Sequence, residues 1–277
     1  MKNALALGTF DGVHKGHRAV LNMPDGYVKN AVIFSEPPKM LISGDKELIM
    51  TAEDKCRILK SVGIENIDIL DFCKVRNMTA EDFLCFLKER YSPSYISCGY
   101  NYRFGRGASG NSDLLKRFCS ENGIMLNCCE PITENGVLIS STLIRNMLKN
   151  GEITAANSLL SEDFSYYGRV IKGDMRGRTL GFPTINQRYP ENLVKLKFGV
   201  YKTKVCIDGN CFDGITDIGV RPTYPTDYCL SETNIIGFEG DIYGKTVRIF
   251  PQRFLREEKK FSSLSELKRQ IEKDKNS

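Results

Sequence analysis

Ala4-Leu-Ala-Leu7, then Gly8-Thr-Phe-Asp-Gly-Val-His14-Lys-Gly-His17, then Arg18-Ala-Val-Leu21: this stretch decides how the first half of the chain folds. The apolar run reads as a buried strand. A glycine-rich turn and a segment able to start a helix follow it. Strand, tight turn and helix N-terminus together aim backbone N–H groups and a helix dipole at an anion. His14 and His17 are the only two histidines in 277 residues. Three apart on a first helical turn, they share a face and are placed to donate to one phosphate. In that context a phosphate site outweighs a pair of surface histidines in a loop.

Downstream, strand-like and helix-like segments alternate. Ala31-Val-Ile-Phe34, Asn66 to Leu70, Tyr95 to Cys98 and Ile124 to Cys128 read as strands. Thr51-Ala-Glu-Asp54 and Thr79-Ala-Glu-Asp82 resemble capping boxes and open helices through about Val62 and Arg90; Asn111 caps another ending near Gly123. This alternation predicts a mostly parallel α/β sheet with ligands at the carboxyl ends of its strands, where the histidine motif falls. Near Asp163 the pattern changes to short strands: Tyr166 to Ile171, Gly199 to Ile207, Asn210 to Ile218, Leu230 to Phe238 and Lys245 to Phe250. Their spacing predicts an antiparallel barrel or sandwich, closed by a helix from Ser263 to about Lys273. The expected domains are 1–163 and 164–277.

Composition bounds the function. An apolar fraction of 41% and a charged fraction of 26% are those of a soluble globular protein. No signal peptide and no bilayer-spanning run is read, so a cytoplasmic protein without a membrane partner is expected. The ten cysteines are scattered, with no Cys-x-x-Cys pair, which argues against zinc and against a disulfide framework. Reduced thiols are the expectation. A net charge of +5 suits anionic nucleotides and is neither large nor clustered enough for a nucleic-acid binder.

Three further motifs carry chemistry. In Ile139-Ser-Ser-Thr-Leu-Ile-Arg145, Ser140, Ser141 and Thr142 precede a helix that ends at Gly151, and Arg145 lies one turn in. Those hydroxyls can cap the helix or bind phosphate, and the arginine is a planar fork donor. Gly99-Tyr-Asn-Tyr-Arg-Phe-Gly-Arg-Gly-Ala-Ser-Gly110 is a glycine-rich loop after a strand, able to approach a flat ring and a phosphate closely. Gly168-Arg-Val-Ile-Lys-Gly173-Asp-Met-Arg-Gly177-Arg178-Thr-Leu-Gly181-Phe-Pro-Thr184-Ile-Asn186 is a basic, glycine-rich phosphate wrapper without the P-loop pattern. Thr184 and Asn186, two apart, face one side of a strand and offer neutral oxygens to Mg2+.

Taken in order, these motifs resemble the bacterial bifunctional riboflavin kinase/FAD synthetase family over nearly the whole chain. Gly8-x-Phe10-Asp11-Gly12-x-His14-x-Gly16-His17, the Arg103-Phe104-Gly105 loop and Ile139-Ser-Ser-Thr-x-x-Arg145 match the adenylyltransferase half. The resemblance implies a Rossmann-like nucleotidyltransferase domain with ATP at the first motif and His14 and His17 on its α-phosphate. It places Asn101, Arg103 and Phe104 toward the flavin. The second half matches the riboflavin kinase barrel through Gly173 to Asn186, Gly199-Val-Tyr201, Ile218-Gly-Val-Arg-Pro-Thr223, Ser231-Glu232-Thr233, Tyr243-Gly-Lys245 and Leu255-Arg256. There the resemblance makes Glu232 the catalytic base and puts nucleotide at Gly173, Arg178 and Gly181. It assigns Mg2+ to Thr184 and Asn186, and flavin or phosphate to Arg221 and Arg256. The implied work is ATP-dependent phosphorylation of riboflavin to FMN, then adenylylation of FMN to FAD.

The chain departs from the family pattern at four places. Leu21 to Ala31 is abbreviated, Glu36-Pro37-Pro38 replaces Pro-His-Pro, Asn101 stands where Asp is usual, and Asp217 where Asn is usual. The alternatives are therefore a riboflavin kinase with a weakened adenylyltransferase half, or a flavin- or nucleotide-binding regulatory protein without turnover.

Overall fold

The computed structural model describes residues 2–44, 46–172, 182–220, 228–259 and 261–276. Gly173, Arg178, Gly181 and Arg221 lie outside the described residues. The chain divides into two compact units: Met1–Leu143 with Leu159–Glu162, and Ile144–Ser158 with Asp163–Ser277.

The first unit runs β1 (Lys2–Leu7), α1 (Lys15–Leu21), β2 (Tyr27–Phe34), α2 (Pro38–Ser43), α3 (Ala52–Ser61), β3 (Asn66–Leu70), α4 (Phe72–Val75), α5 (Ala80–Tyr91), β4 (Pro93–Gly99), α6 (Ser112–Glu121) and β5 (Met125–Cys129). A small hairpin follows, β6 (Thr133–Glu134) and β7 (Val137–Leu138). The large sheet has the order β3-β2-β1-β4-β5 and is parallel at every pairing. Strand β1 is buried on both faces, as its unbroken apolar run implies. Leu5 and Leu7 pack with Leu84, Leu87, Ile96 and Leu115, while Ala4 and Ala6 pack with Val20, Leu21, Ile58 and Leu59. The caps form as the sequence suggests. Thr51 and Thr79 accept from the N–H of Asp54 and Asp82 at 3.1 and 3.0 Å, and Asn111 accepts from Leu114 at 2.9 Å. The strand order reverses between β1 and β4, and a doubly wound sheet opens its ligand crevice at such a point.

Helix α7 (Ser141–Asn150) begins in the first unit and continues in the second, where α8 (Ile153–Leu159) follows it. The second unit then builds β8 (Tyr166–Ile171), β9 (Thr184–Arg188), β10 (Gly199–Ile207), β11 (Asn210–Gly219), β12 (Leu230–Ile235), β13 (Thr246–Arg256) and the terminal helix α9 (Leu264–Lys275). The six strands close an antiparallel barrel, β10-β11-β12-β9-β8-β13. Its interior carries a ladder of hydroxyls, Thr203–Thr216–Thr233, at 2.9 Å per step. Tyr166 and Ser231 share a further hydrogen bond of 2.6 Å. Buried hydroxyls are tolerable there because each has a partner.

Three expectations are corrected. Thr184–Arg188, whose strand face is used in the sequence reading but which is not counted there among the barrel strands, is the sixth of them. Strand β13 does not stop at Phe250: it continues through Pro251 to Arg256, because a register shift opposite Lys202/Thr203 places the proline at a bulge. Cys206 and Cys211, expected as thiols, are joined by a disulfide; they face each other directly across the β10–β11 hairpin. No cysteine spacing rule flags two residues brought together only by hairpin register.

Candidate functional site

The first unit holds a cavity of about 400 Å³ at the carboxyl ends of β1, β2, β4 and β5. Its walls include Leu7 and Gly8 at the end of β1, Phe34 at the end of β2, Gly99 to Arg103 at and beyond the end of β4, and Cys129 to Ile132 at and beyond the end of β5. The β1–α1 turn is shaped by unusual backbone: Gly12 has φ +92°, and Phe10 and Val13 take φ 49° and 37°. For a β-branched valine that conformation is strained, and strain of this kind gathers at functional turns. His14 caps α1, its Nδ1 accepting from the His17 backbone N–H at 3.3 Å. That bond fixes the tautomer and leaves Nε2–H as the ring's donor. The two imidazoles stack with centroids 3.6 Å apart, and both line the cavity.

Across the cavity the second motif arrives. Ser140 Oγ accepts from the Leu143 N–H at 3.2 Å and caps α7. Ser141 Oγ donates to the Asp11 carbonyl at 2.8 Å, tying the two motifs together. Gly8, Phe10, His14, His17, Asn101, Arg103, Ser140, Ser141 and Thr142 thus line one space. Four residues of the same motifs do not. Asp11 is fully buried, and its Oδ1 accepts from the Ile49 N–H at 3.0 Å. Gly12 shapes the turn. Phe104 sits in the core, stacked on Tyr102, because the Phe104–Gly110 bridge closes its loop with the ring inward; Gly110 leaves no room for a side chain there. Arg145 falls on the part of α7 that belongs to the second unit.

Lys55, which the sequence did not single out, is buried under this region and donates to the Phe34 and Ser35 carbonyls at 3.0 and 3.3 Å. Burial pulls its pKa below the usual lysine value, against the pull of the nearby Asp11 carboxylate. It ties the end of β2, where the cavity wall turns. Only its place in the helix that Thr51 opens was visible in the sequence.

Among the described residues of the second unit, two of the cavities share Thr184. One, of about 300 Å³, is lined by Val170, Pro183, Thr184, Ile185 and the segment Phe238 to Tyr243. The other, of about 330 Å³, lies between the outer face of the barrel wall and α9, lined by Thr184, Asp217, Glu232, Asn234, Arg256 and Asp274 among others. Strand register explains the grouping. Asp217 is opposite Glu232, Glu232 opposite Asn186, and Asn234 opposite Thr184. Directly opposed residues share a face. Asn186 lies two residues beyond Thr184 on β9 and is buried. Asn234 Nδ2 donates to the Pro183 carbonyl at 2.7 Å and so fixes the approach to Thr184.

Arg256 is already engaged in this cavity. Its Nε and Nη2 donate to Asp274 Oδ2 at 3.1 and 2.8 Å, and Gln270 also donates to Asp274 at 2.7 Å. Asp217 is different: its Oδ1 is buried and accepts no hydrogen bond. Burial, then Glu258, push its pKa up to about 6, while Arg256 opposes them. Glu258, Lys259 and Asp274 escaped sequence reasoning because only the fold brings the end of β13 and α9 against β11.

Among known proteins, the family described as FAD synthetase matches residues 1–143 and the family described as riboflavin kinase matches residues 160–277. The bifunctional riboflavin kinase/FMN adenylyltransferase of Escherichia coli strain K12 is 32% identical over 281 residues, covering 98% of this chain and 90% of the relative. The chain belongs to the bifunctional riboflavin kinase/FMN adenylyltransferase family. The Bacillus subtilis strain 168 member is 31% identical over 290 residues, covering 99% of this chain and 90% of its own length. A solved Streptococcus pneumoniae structure described as a macrolide-efflux protein has a TM-score of 0.91 at 28% identity, covering 99% of this chain and 93% of that one. Efflux is said of that protein. In the chain described here, no helix among the described residues is long and apolar enough to cross a membrane. Membership makes this chain an enzyme of flavin cofactor biosynthesis, with FAD synthetase and riboflavin kinase modules in that order.

Proposed function

We propose that the two reactions are divided between functional domains 1–163 and 164–277, which follow the two units except for Ile144–Ser158, a segment that packs with the second. Riboflavin becomes FMN at the barrel, and FMN becomes FAD at the histidine cavity. The carrying observation is that each unit holds a cavity lined by its own motif set: His14, His17 and Ser140 to Thr142 in one, Thr184 and Glu232 in the other.

At the barrel, Glu232 takes the proton of the ribityl 5′-hydroxyl as its oxygen attacks the γ-phosphorus of ATP. The bond to the bridging oxygen breaks and ADP leaves. Thr184 stands where the two barrel cavities meet, so we assign ATP to the cavity beside Phe238 to Tyr243 and the flavin to the one under α9. Thr184 and Asn186 offer hard neutral oxygens on one strand face, a donor set that fits Mg2+ alongside phosphates. Bound there, the ion would neutralise charge on the phosphates. Gly173, Arg178, Gly181 and Arg221 complete this reading on the nucleotide and flavin sides. Arg256 orders the flavin cavity through Asp274.

At the histidine cavity, the FMN phosphate attacks the α-phosphorus of ATP and pyrophosphate leaves. No covalent enzyme intermediate is required. His14 and His17 donate to the α-phosphate, and Ser140 to Thr142 hold the phosphate chain. Gly8 and Phe10 cover the nucleotide, Asp11 and Gly12 hold the turn, and Asn101 and Arg103 face the flavin with Phe104 holding their loop. With the abbreviated segment after α1, this cavity keeps walls on the β1, β2, β4 and β5 sides, which favours turnover over a weakened half. The reading carries a cytoplasmic location, small-molecule partners only, and neither nucleic acid nor membrane.

The test is to supply purified protein with riboflavin, ATP and Mg2+, resolve FMN from FAD by chromatography, and follow ADP and pyrophosphate separately. Both flavins and both by-products are expected. FMN and ADP alone would reduce the enzyme to a kinase, and no product would make it a binding protein.

A further inference from the structure

The described wall of the α9 cavity is unbalanced in charge. It carries four carboxylates, Asp217, Glu232, Glu258 and Asp274, against two cations, Arg256 and Lys259. Arg256 is committed to Asp274 by three hydrogen bonds from its guanidinium. Asp217 lies at the centre of this excess. It is directly opposite Glu232 in the β11–β12 ladder, and directly opposed residues have Cβ atoms about 4.5–5.5 Å apart. From the other side, the Glu258 carboxyl occupies the space that a side chain on Gly219, two residues along β11, would fill. The Asp217 carboxylate also has a buried oxygen that no donor satisfies. Such a group is costly to keep unless a ligand or a discrimination requires it.

The two flavins that meet Glu232 differ in charge at one position. Riboflavin brings a neutral hydroxyl and leaves as a phosphate monoester carrying about −1.5 to −2 charges at pH 7. We propose that Asp217 is a specificity residue of the kinase site, repelling the new phosphate so that the cavity holds riboflavin in preference to FMN and releases its product. This rests on the reading that the α9 cavity is the flavin side of the kinase site. A neutral polyol meets the Asp217 carboxylate as a hydrogen-bond donor. A phosphate dianion meets it as a like charge. In a site of effective dielectric near 20, one such charge is worth about tenfold in Kd at a separation of about 12 Å, and more when nearer. Selection against the product by an unpaired like charge is specificity by repulsion.

The groups facing Asp217 are Glu232 from β12, Arg256 from β13, Glu258 and Lys259 just beyond β13, and Asp274 from α9. Its carboxyl is held up to about 6 by burial first and by Glu258 second, so the repulsion weakens in mild acid.

The experiment follows ADP release from the full chain, which reports the kinase reaction alone because adenylylation releases pyrophosphate. The readout is the ratio of the FMN inhibition constant to the riboflavin KM. In Asp217→Asn this ratio should fall about tenfold at pH 7.5, and the gap from the unsubstituted enzyme should narrow at pH 5.5. Asp217→Ser, equally uncharged but without an amide donor, should move the ratio in the same direction. A ratio within twofold of the unsubstituted enzyme in both variants overturns the proposal, as does a fall seen only with asparagine. The underlying reading fails differently: ADP release that survives Glu232→Gln would remove the kinase chemistry from this cavity altogether.

Discussion

The two sites are built by different logics. The histidine cavity sits where strand order reverses in a parallel sheet, and two short contiguous motifs supply most of its polar wall. Main-chain geometry does much of the work there: a turn with three positive-φ residues, a histidine cap and a serine cap at two helix starts. The α9 cavity is instead assembled from side chains on five barrel strands, the segment beyond β13 and α9. Local motifs can encode the first kind of site. The second exists only once register sets Asp217, Glu232 and Asn186 in one row. Contiguous motifs make a phosphate site legible, whereas dispersed side chains leave a carboxylate site hidden until the barrel closes.

The largest expected effects separate the two sites. Glu232→Gln should lower FMN formation from riboflavin by roughly 10²–10⁴-fold, while FAD formation from supplied FMN continues. Chromatography of the flavins reads both. His17→Ala should do the reverse: adenylylation falls by about 10²–10³-fold and the kinase reaction persists. If either substitution damaged both reactions equally, the division between units would be lost.

Smaller effects sharpen the contrast in stability. The folded-state pKa of Asp217, about 6, lies above its ordinary value of 3.8, so the native state holds this proton more tightly than the unfolded chain. Stability from this group is therefore full below the unfolded value and declines as pH rises through about 6. Asp217→Asn removes the decline. Urea unfolding should find the variant more stable at pH 8 by on the order of 2–3 kcal/mol, with the gap closing toward pH 4.5. A gap independent of pH would assign the gain to packing. Smallest is Thr79→Ala, which deletes the α5 cap in the first unit. It should cost about 1 kcal/mol in unfolding of that unit, leaving the kinase rate unaltered. A matching loss of kinase rate would couple the units.

Much of the fold follows from local signals. Strands β1, β3, β8 and β10 and the caps at Thr51, Thr79 and Asn111 appear where apolar pattern and capping chemistry put them. The misreadings have physical causes. Pro251 looked like a strand end, yet a bulge accommodates it. Thr184–Arg188 was legible as a strand face, but its pairing with Leu230 to Asn234 is set only once the barrel closes. The Cys206–Cys211 bond and the Arg256–Asp274 pair join residues that approach only through hairpin register or helix docking. In the first site, Phe104 shows the opposite error: an aromatic in a glycine-rich loop resembled a ligand contact and is core packing.

The central claim is that each unit completes one reaction and that FMN passes between them as a free product. The most direct measurement mixes Glu232→Gln enzyme with His17→Ala enzyme and supplies riboflavin, ATP and Mg2+. Neither variant alone should form FAD, and the mixture should form it at a rate set by FMN release. FAD made by Glu232→Gln alone, or none from a mixture whose members each keep their own half-reaction, would contradict the account.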